Sequence, residues 1–270
     1  MTGSRLDAAL AERGLARSRT HAARLIADGL VSVDGRPALK PSLRVDETQT
    51  IDVDEDDGHV SRAARKLVGA LDAFPVEVAG RLALDVGAST GGFTQVLLER
   101  GAREVIALDV GHGQLHPSIR SDPRVRVIEG TNARYLTAPS LADLSGTPEV
   151  PDLVVADLSF ISLSTVMPAL VDTVGTTADM VLLVKPQFEV GRTGIREGVV
   201  RDPGLRRDAV ERVLWSAWDL GLATAGLLPS PIVGSSGNRE YLVWFSESAG
   251  TNPTEWLAQL SHLELEEGQA

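Results

Sequence analysis

The stretch LALDVGASTGGF, residues 82–93, constrains the fold of this chain more than any other. An apolar run ends at Asp85, a glycine-rich turn follows, and then a helix-like segment begins. A second apolar run ends at another acid, Asp109. Strand, glycine turn, helix, strand and acid follow one another in nucleotide-binding βαβ units, where glycine lets the backbone turn tightly and approach a ligand. The stretch therefore predicts a ligand pocket at the edge of a parallel sheet.

The spacing of these glycines argues against a dinucleotide. The dinucleotide fingerprint is G-x-G-x-x-G, whereas this chain has G-A-S-T-G-G with an acid two residues before the first glycine. That arrangement suits S-adenosylmethionine (SAM), which has no phosphate but carries a charged amino-acid part and a ribose. The alternative is a glycine turn of some other α/β protein. The predicted cofactor-binding residues are Asp85, Gly87, Ser89, Thr90, Gly91, Gly92, Phe93, Asp109 and, after the third strand, Asn132.

Composition excludes several classes of protein. The chain has 270 residues, 43% of them hydrophobic, which suits one large domain or a medium domain with a small appendage. No apolar run is long enough to span a membrane, and no signal peptide is visible. Cysteine is absent, which excludes disulfides, thiolate metal sites and a cysteine nucleophile. No His/Asp cluster has the spacing of metal ligands, so we expect no bound metal. The absence of cysteine fits a cytosolic protein, so we expect a cytoplasmic location.

Charge is unevenly distributed along the chain. The net charge of −11 argues against nucleic-acid binding when it is taken alone. Residues 1–45, however, contain eight Lys or Arg and four Asp or Glu, whereas acids accumulate in DVDEDD at 52–57 and near the C-terminus. A basic module on an acidic body is compatible with nucleic-acid binding.

The pattern of elements divides the chain. Residues 1–56 read as a small α+β domain, 57–61 as a linker, 62–250 as an α/β domain and 251–270 as an acidic tail. The α/β domain has strand candidates at 82–86, 104–109, 124–128, 153–156, 180–184, about 222–228 and 240–245, with helices between them. Only a loop joins the last two strands, so they should be antiparallel. The prediction is a doubly wound, Rossmann-like seven-stranded sheet behind a small N-terminal domain.

Charged residues mark further strand ends in this sheet. Asp157 and Lys185 each follow an apolar strand, and ligands bind outside the carboxyl ends of parallel strands. Glu240 opens the last strand, whose start should lie on the same edge if that strand is antiparallel. Lys66 lies on the helix before the first strand, opposite its apolar stripe, and is free to face solvent or a cleft. Asp85, Asp109, Asp157 and Lys185 should therefore converge on one edge of the sheet.

The order Lys, Asp, Lys, Glu resembles the tetrad of the FtsJ/RrmJ-like RNA 2′-O-methyltransferases. The resemblance extends to SRAARKL at 61–67, DVGASTGGFT at 85–94, LDVGHGQL at 108–115, ADLSFISL at 156–163, LLVKPQFE at 182–189 and GNREYLVWF at 237–245. RLDAAL at 5–10, residues 14–35 and IDV at 51–53 resemble the S4-like RNA-binding domain. The whole arrangement resembles the TlyA family, whose members are named both haemolysin A and ribosomal RNA 2′-O-methyltransferase acting on cytidine.

The resemblance implies SAM-dependent methylation of a cytidine 2′-hydroxyl in ribosomal RNA, with ribosomal subunits as partners. A lysine beside another cation has a lowered pKa and can act as a base. The family assigns that role to Lys185, with Lys66 and Glu240 orienting the groups and Asp157 holding the lysine. The S4-like domain would contact RNA through Arg5, Arg17, Arg19, His21, Arg24 and Lys40.

Three other functions remain open from the sequence. A membrane-active haemolysin would fit the second family name, although no spanning helix or basic amphipathic helix is visible. A non-catalytic RNA-binding protein would have lost the tetrad, yet all four positions are filled. A base methyltransferase acting on an exocyclic amine usually has a proline-proline-aromatic motif where this chain has ADLSF.

Overall fold

The computed structural model describes residues 3–27, 29–38, 40–53, 58–191, 195, 197–234 and 237–265. These residues fall into two compact units. The first ends at Arg62, and the second runs Ala63–Gly234 and resumes at Asn238. Within the described ranges, no helix combines the length and the apolar character that crossing a bilayer requires.

The first unit pairs two short helices with two small antiparallel sheets. In chain order its elements are β1 (Ser4–Arg5), α1 (Leu6–Glu12), α2 (Arg19–Ala27), β2 (Val31–Val33), β3 (Arg36–Pro37), β4 (Arg44–Val45) and β5 (Ile51–Val53). Strand β1 pairs with β4, and the other sheet has the order β3-β2-β5. Leu6, Leu10 and Ile26 are fully buried between these elements.

Local signals explain the first unit. Ser18 caps α2, because its hydroxyl accepts the backbone N–H of His21 at 3.1 Å. Asp34 and Gly35 both have positive φ and join β2 to β3 in the tight turn that Asp-Gly favours. The serine hydroxyl thus explains where α2 begins, and the Asp-Gly pair explains how β2 reverses into β3.

The second unit alternates strands and helices. In chain order its elements are α3 (Ala63–Ala73), β6 (Leu82–Val86), α4 (Gly92–Glu99), β7 (Glu104–Leu108), α5 (Pro117–Arg120), β8 (Val125–Ile128), α6 (Ala138–Ser145), β9 (Leu153–Ala156), α7 (Leu163–Val174), β10 (Asp179–Val184), α8 (Pro186–Glu189), α9 (Pro203–Asp219), β11 (Thr224–Pro229), β12 (Tyr241–Phe245) and α10 (Leu257–Leu265). Short 3-10 helices cover Ala133–Tyr135 and Pro253–Glu255.

Seven of these strands form one sheet in the order β11-β12-β10-β9-β6-β7-β8. Strands β10, β9, β6, β7 and β8 are parallel, whereas β12 runs antiparallel to both of its neighbours. The predicted doubly wound sheet and its antiparallel last strand are confirmed. The strand order reverses between β6 and β9, and such a switch point leaves a crevice at the carboxyl edge.

Helices cover both faces of this sheet. Helices α3 and α4 bury Leu67 and Leu97 against one face. Helices α6, α7, α9 and α10 cover the other, where Leu170, Val213 and Leu260 are fully buried. Side chains alternate between these faces along each strand, as Ala83 and Leu84 do on β6.

The structure differs from the predicted acidic tail at 251–270. Helix α10 packs on the unit through Leu260, and the indole N–H of Trp256 donates to the carbonyl of Thr224 at 3.0 Å. Apolar residues at helical spacing therefore hold this segment to the core, at least as far as Leu263.

Candidate active site

Four charged side chains meet at the carboxyl edge of the sheet. Lys66 projects from α3, Asp157 and Lys185 follow β9 and β10, and Glu240 immediately precedes β12. Because β12 is antiparallel, its first residues lie beside the last residues of β10, with Tyr241 opposite Val184. The structure thus brings together all four residues that the sequence proposed as catalytic.

Charges alternate through this cluster. Lys66 Nζ lies 2.6 Å from Glu240 Oε2 and 3.4 Å from Asp157 Oδ2. Lys185 Nζ lies 2.5 Å from the other carboxylate oxygen of Asp157 and donates to Ser159 Oγ at 3.0 Å. Asp157 therefore bridges two ammonium groups, and the two lysines and two acids carry no net charge together.

Burial makes this pairing necessary. Lys66, Lys185 and Glu240 are all buried, and an isolated buried charge costs several kcal/mol, roughly, unless it is paired. Burial alone would raise the pKa of the Asp157 carboxyl, but the ammonium groups of Lys66 and Lys185 hold that pKa below its usual value. The sequence allowed the side chain of Lys66 to face either solvent or a cleft. The first alternative is wrong, because the amine lies in the cleft among carboxylates.

The choice of lysine at these positions is informative. The chain contains three lysines, and two of them lie in this cluster. Arginine supplies nearly all other cationic side chains and cannot lose its proton in a protein, whereas lysine can. A cluster that needed positive charge alone could have used arginine, so the lysines point to proton transfer.

A cavity of about 490 Å³ adjoins the cluster. It lies at the β6/β9 switch point, and Asp157 and Ser159 line it as well as contacting the lysines. Its other lining residues are Val86, Gly87, Ser89, Leu108, Asp109, Val110, Gln114, Thr131, Asn132, Ala133, Leu158, Phe160, Ile161 and Val166. A ligand in the cavity would therefore meet Asp157 and Ser159, the two side chains that Lys185 contacts.

The turn after β6 shapes one wall of this cavity. Gly87 has φ of +86°, and a Cβ there would lie 2.8 Å from the carbonyl oxygen of Asp157, so the close approach requires glycine. Asp109 accepts the backbone N–H of Ser89 at 2.8 Å and that of Gly111 at 2.6 Å. These two bonds fix the carboxylate at the cavity wall.

The predicted cofactor-binding residues separate into two groups. Gly87, Ser89, Asp109 and Asn132 line the cavity, whereas Asp85, Thr90, Gly91, Gly92 and Phe93 do not. Phe93 points into the core beneath α4. Gly91, with φ of +95°, begins that helix against Leu115, and the carbonyl of Thr90 accepts the N–H of His116. This second group supports the loop from behind.

Asp85 is fully buried behind the cavity. One of its oxygens accepts the hydroxyl of Thr94 at 2.6 Å, and the other has no hydrogen-bond partner among the described residues. Burial raises the pKa of this carboxyl to about 7, and the negative charge of Asp157 adds to the increase. Asp85 is therefore poised between its neutral and charged forms near neutral pH.

Sequence reasoning missed two residues on the loop after β9. Ser159 receives the bond from Lys185, and Phe160 is 92% exposed at the cavity with φ of +64°. The Phe160 ring lies 5.4 Å from that of Phe188, centroid to centroid. Only their place directly after a strand-end acid could have indicated these residues. An exposed phenylalanine in a strained conformation is typical of a contact surface.

In the first unit, Asp7 holds two of the residues predicted to bind RNA. Arg5 pairs with both carboxylate oxygens of Asp7, at 3.0 and 3.2 Å, and Arg19 approaches one of them at 2.9 Å. Asp7 itself is buried, and the hydrogen bond from Arg5 lowers the pKa of its carboxyl to about 2. Both guanidinium groups keep N–H donors that Asp7 does not use.

The other predicted RNA contacts are less constrained. Arg17, Arg24 and Lys40 are exposed, and His21 is half-buried. The His21 ring accepts the backbone N–H of Arg17 at 3.1 Å, which occupies one ring nitrogen.

Comparison with known proteins identifies the family. Residues 59–247 match the model of the FtsJ-like methyltransferases, and residues 4–51 match the S4 domain. The chain is 54% identical over 244 residues to the 16S/23S rRNA (cytidine-2′-O)-methyltransferase TlyA of Mycobacterium tuberculosis, which covers 89% of each protein. It is 37% identical to Hemolysin A of Brachyspira hyodysenteriae, over 89% of this chain and 99% of that protein.

A solved structure agrees with this assignment. The structure of a proposed hemolysin from Streptococcus thermophilus is 35% identical, covers all of both chains and superposes with a TM-score of 0.73. The resemblance noted in the sequence is thereby confirmed. This chain belongs to the TlyA family of FtsJ-like methyltransferases that carry an N-terminal S4 domain.

Proposed function

We propose that this methyltransferase transfers a methyl group from SAM to the 2′-hydroxyl of a cytidine ribose in ribosomal RNA. The observation that carries the proposal is the buried lysine pair bridged by Asp157, whose carboxylate also lines the cavity. The name of the Mycobacterium tuberculosis relative supplies the nucleotide and the class of RNA.

The cavity has the chemistry that SAM requires. Asp109 is oriented by two backbone N–H groups and can accept both ribose hydroxyls. Leu108, Val110 and Ala133 offer apolar contact to an adenine ring, and Asn132 offers polar groups beside it. The volume of about 490 Å³ lies in the range typical of cofactor sites.

Lys185 has the geometry of the base. Lys185 is an ammonium in the resting cluster, so it must first release one proton to water before it can act as the base. The neutral amine that results has two N–H donors and one lone pair. Ser159 Oγ accepts one N–H and the carboxylate of Asp157 lies 2.5 Å from the nitrogen, so the lone pair is left for the proton of the ribose hydroxyl. SAM supplies the methyl group already activated on a positively charged sulfur. As the ribose oxygen bonds to the methyl carbon, the carbon–sulfur bond breaks and the hydroxyl proton passes to Lys185.

Lys66 and Glu240 complete the machinery without leaving a charge unpaired. Lys66 holds the second oxygen of Asp157, so this carboxylate cannot rotate away from Lys185. Glu240 in turn holds Lys66 at 2.6 Å. The cluster therefore fixes the base in position, and positioning contributes much of the acceleration when the donor is already activated.

Two surfaces support a nucleic-acid substrate. The exposed ring of Phe160 lies at the cavity, where a nucleobase can stack on it, and such stacking is common in the recognition of unpaired RNA. Arg5 and Arg19 in the S4 domain present free N–H donors to backbone phosphates. Phosphate contacts position an RNA without reading its bases.

The test is methyl transfer from labelled SAM to ribosomal subunits taken from cells that lack this enzyme, followed by mapping of the modified nucleotide. A 2′-O-methyl group blocks alkaline cleavage of the following phosphodiester bond, so we expect an alkali-resistant bond after a cytidine. Lys185→Ala should lose the transfer, and Arg207→Ala, which removes an exposed cation on α9, is the control. Label on a base, or no transfer by the wild type, would contradict the proposal.

A further inference from the structure

Glu189 is a buried acid that contacts neither the cavity nor the lysine cluster. It ends α8, the short helix that directly follows Lys185. Its Oε1 accepts the backbone N–H of Leu163 at 2.6 Å, and its Oε2 accepts the hydroxyl of Ser162 at 2.8 Å. Burial raises the pKa of this carboxyl, and these two bonds oppose the increase.

Both donors belong to the start of α7. Ser162 is the N-cap residue of that helix, but its own side chain accepts no capping hydrogen bond. Glu189 supplies the cap from another element instead. The chain entering α7 is the loop at 157–162, which contains Asp157, Ser159 and Phe160.

The opposite side of Glu189 is anchored as well. Arg212 on α9 donates to the backbone carbonyl of Glu189 at 2.8 Å, which fixes the end of α8. The neighbouring Phe188 packs its ring against Phe160. Glu189 therefore lies at the fixed end of α8, the helix that follows Lys185. Its carboxylate binds the end of the loop that contains Asp157.

We infer that Glu189 is a positioning residue for methyl transfer, because its carboxylate locks the 157–162 loop to the turn behind Lys185. This inference rests on the function proposed above. The lysine amine must meet Asp157 and Ser159 together for its lone pair to face the substrate, and Lys185 follows a different strand from the loop that contains these two partners. Without the tie, the contacts of Lys185 itself and the ring contact between Phe160 and Phe188 would be left to hold the two segments together.

Three variants test this role. Glu189→Ala removes the tie. Glu189→Gln keeps it, because the amide oxygen can accept from Leu163 and the amide N–H can donate to Ser162. Glu77→Ala removes an exposed carboxylate before β6, at the opposite edge of the sheet, and is the matched control.

We expect Glu189→Ala to lower the single-turnover rate constant roughly 10- to 100-fold, the scale of a misplacement of about 1 Å. The fraction of enzyme that reacts should stay constant. Glu189→Gln and Glu77→Ala should match the wild type. A merely structural cap would reduce the reacting fraction and leave the rate constant unchanged, and this result would overturn the inference, as would a Gln variant as slow as the Ala variant.

Hydrogen exchange provides a readout that needs no activity. Amides in the segment 157–166 should exchange faster in Glu189→Ala than in the wild type, and at the wild-type rate in Glu189→Gln. Unchanged exchange in the Ala variant would overturn the lock itself. A wild type that exchanges as expected but transfers no methyl would instead contradict the proposed function.

Discussion

Each unit of this protein contains a carboxylate between two cations, but the two arrangements differ in exposure. Asp7 joins Arg5 and Arg19, whose side chains are 43% and 61% exposed. Asp157 joins Lys66 and Lys185, whose side chains are 6% and 9% exposed. In both cases the cations keep the pKa of the carboxyl below its usual value.

The comparison shows how burial changes the use of the same ion pairing. Exposed arginines keep their charge at every pH and can exchange water for phosphate, so their contribution should be screened by salt. Burial keeps water and salt away from the two lysines. Their contribution to function therefore lies in the geometry that they impose and in the proton that a lysine amine can accept. The first arrangement suits binding and the second suits chemistry.

The largest expected effect is that of removing the buried amine. Lys185→Ala should lower the single-turnover rate by roughly 10²–10⁴-fold, the usual contribution of a general base. Affinity for RNA and its salt dependence should remain those of the wild type, because the amine is screened from solvent. Rapid-quench methylation and RNA binding across a salt titration measure the two quantities, with Arg207→Ala as control. A near wild-type rate would remove the distinction between the two arrangements.

Removing the exposed pair should have the opposite profile. Arg5→Ala with Arg19→Ala should weaken RNA binding roughly 10- to 100-fold and flatten the salt dependence by about two charges, since lost phosphate contacts no longer release counterions. The rate at saturating RNA should be unchanged. Arg207→Ala, an exposed arginine on α9, is the control. Equal salt slopes for the double variant and the wild type would show that these arginines do not contact phosphate.

A third acid sharpens the comparison because its hydrogen-bond partners are backbone amides. Asp109→Ala should weaken SAM binding by about 1–3 kcal/mol, the scale of lost hydrogen bonds to a charged group. Calorimetry with SAM measures this, and the exposed Asp219→Ala is the control. Unchanged affinity would place the ribose elsewhere in the cavity.

Asp85 is a buried acid whose described hydrogen bond comes from a hydroxyl, and its pKa is raised rather than lowered. Between about pH 4 and about pH 7 the folded protein binds more protons at this group than the unfolded chain, so stability falls as pH rises. A variant with Asp85→Asn has no titrating group at this position and does not lose stability in this way. The free energy of unfolding of the variant should therefore rise, relative to that of the wild type, by about 2 kcal/mol between about pH 5 and about pH 8. The raised pKa of Asp85 sets this order of magnitude.

Urea unfolding followed by tryptophan fluorescence measures this difference. All four tryptophans, at 215, 218, 244 and 256, lie in the second unit, so the signal reports the unit that contains Asp85. A gap between variant and wild type that does not change with pH would mean that Asp85 is charged throughout.

The sheet could be predicted because its strands are buried on both faces. Such strands appear as continuous apolar runs, and charged or glycine residues mark their ends, as Asp85 and Lys185 do. The short connection before β12 also predicts its antiparallel direction. The helix at Leu257–Leu265 was missed because acidic residues near the end of the chain outweighed its apolar spacing.

The site could be predicted only in part. Strand-end positions on one sheet edge follow from topology, and this brings Asp157, Lys185 and Glu240 together. Side-chain direction at the start of α4 does not follow, so the sequence could not separate Phe93 and Thr90 from the residues that line the cavity. Contacts between separate elements, such as Glu189 with Ser162, depend on packing that no local pattern encodes.

The antiparallel insertion of β12 has a consequence for when the enzyme can act. Lys66 precedes the first strand of the sheet and Glu240 opens the last, so their ion pair spans 174 positions of the chain. A ribosome making this protein must release nearly all of it before Lys66 meets its acid. A chain cut short before the final hairpin would bury the ammonium group of Lys66 without Glu240. The four-residue cluster can therefore be complete only when the whole sheet has been assembled.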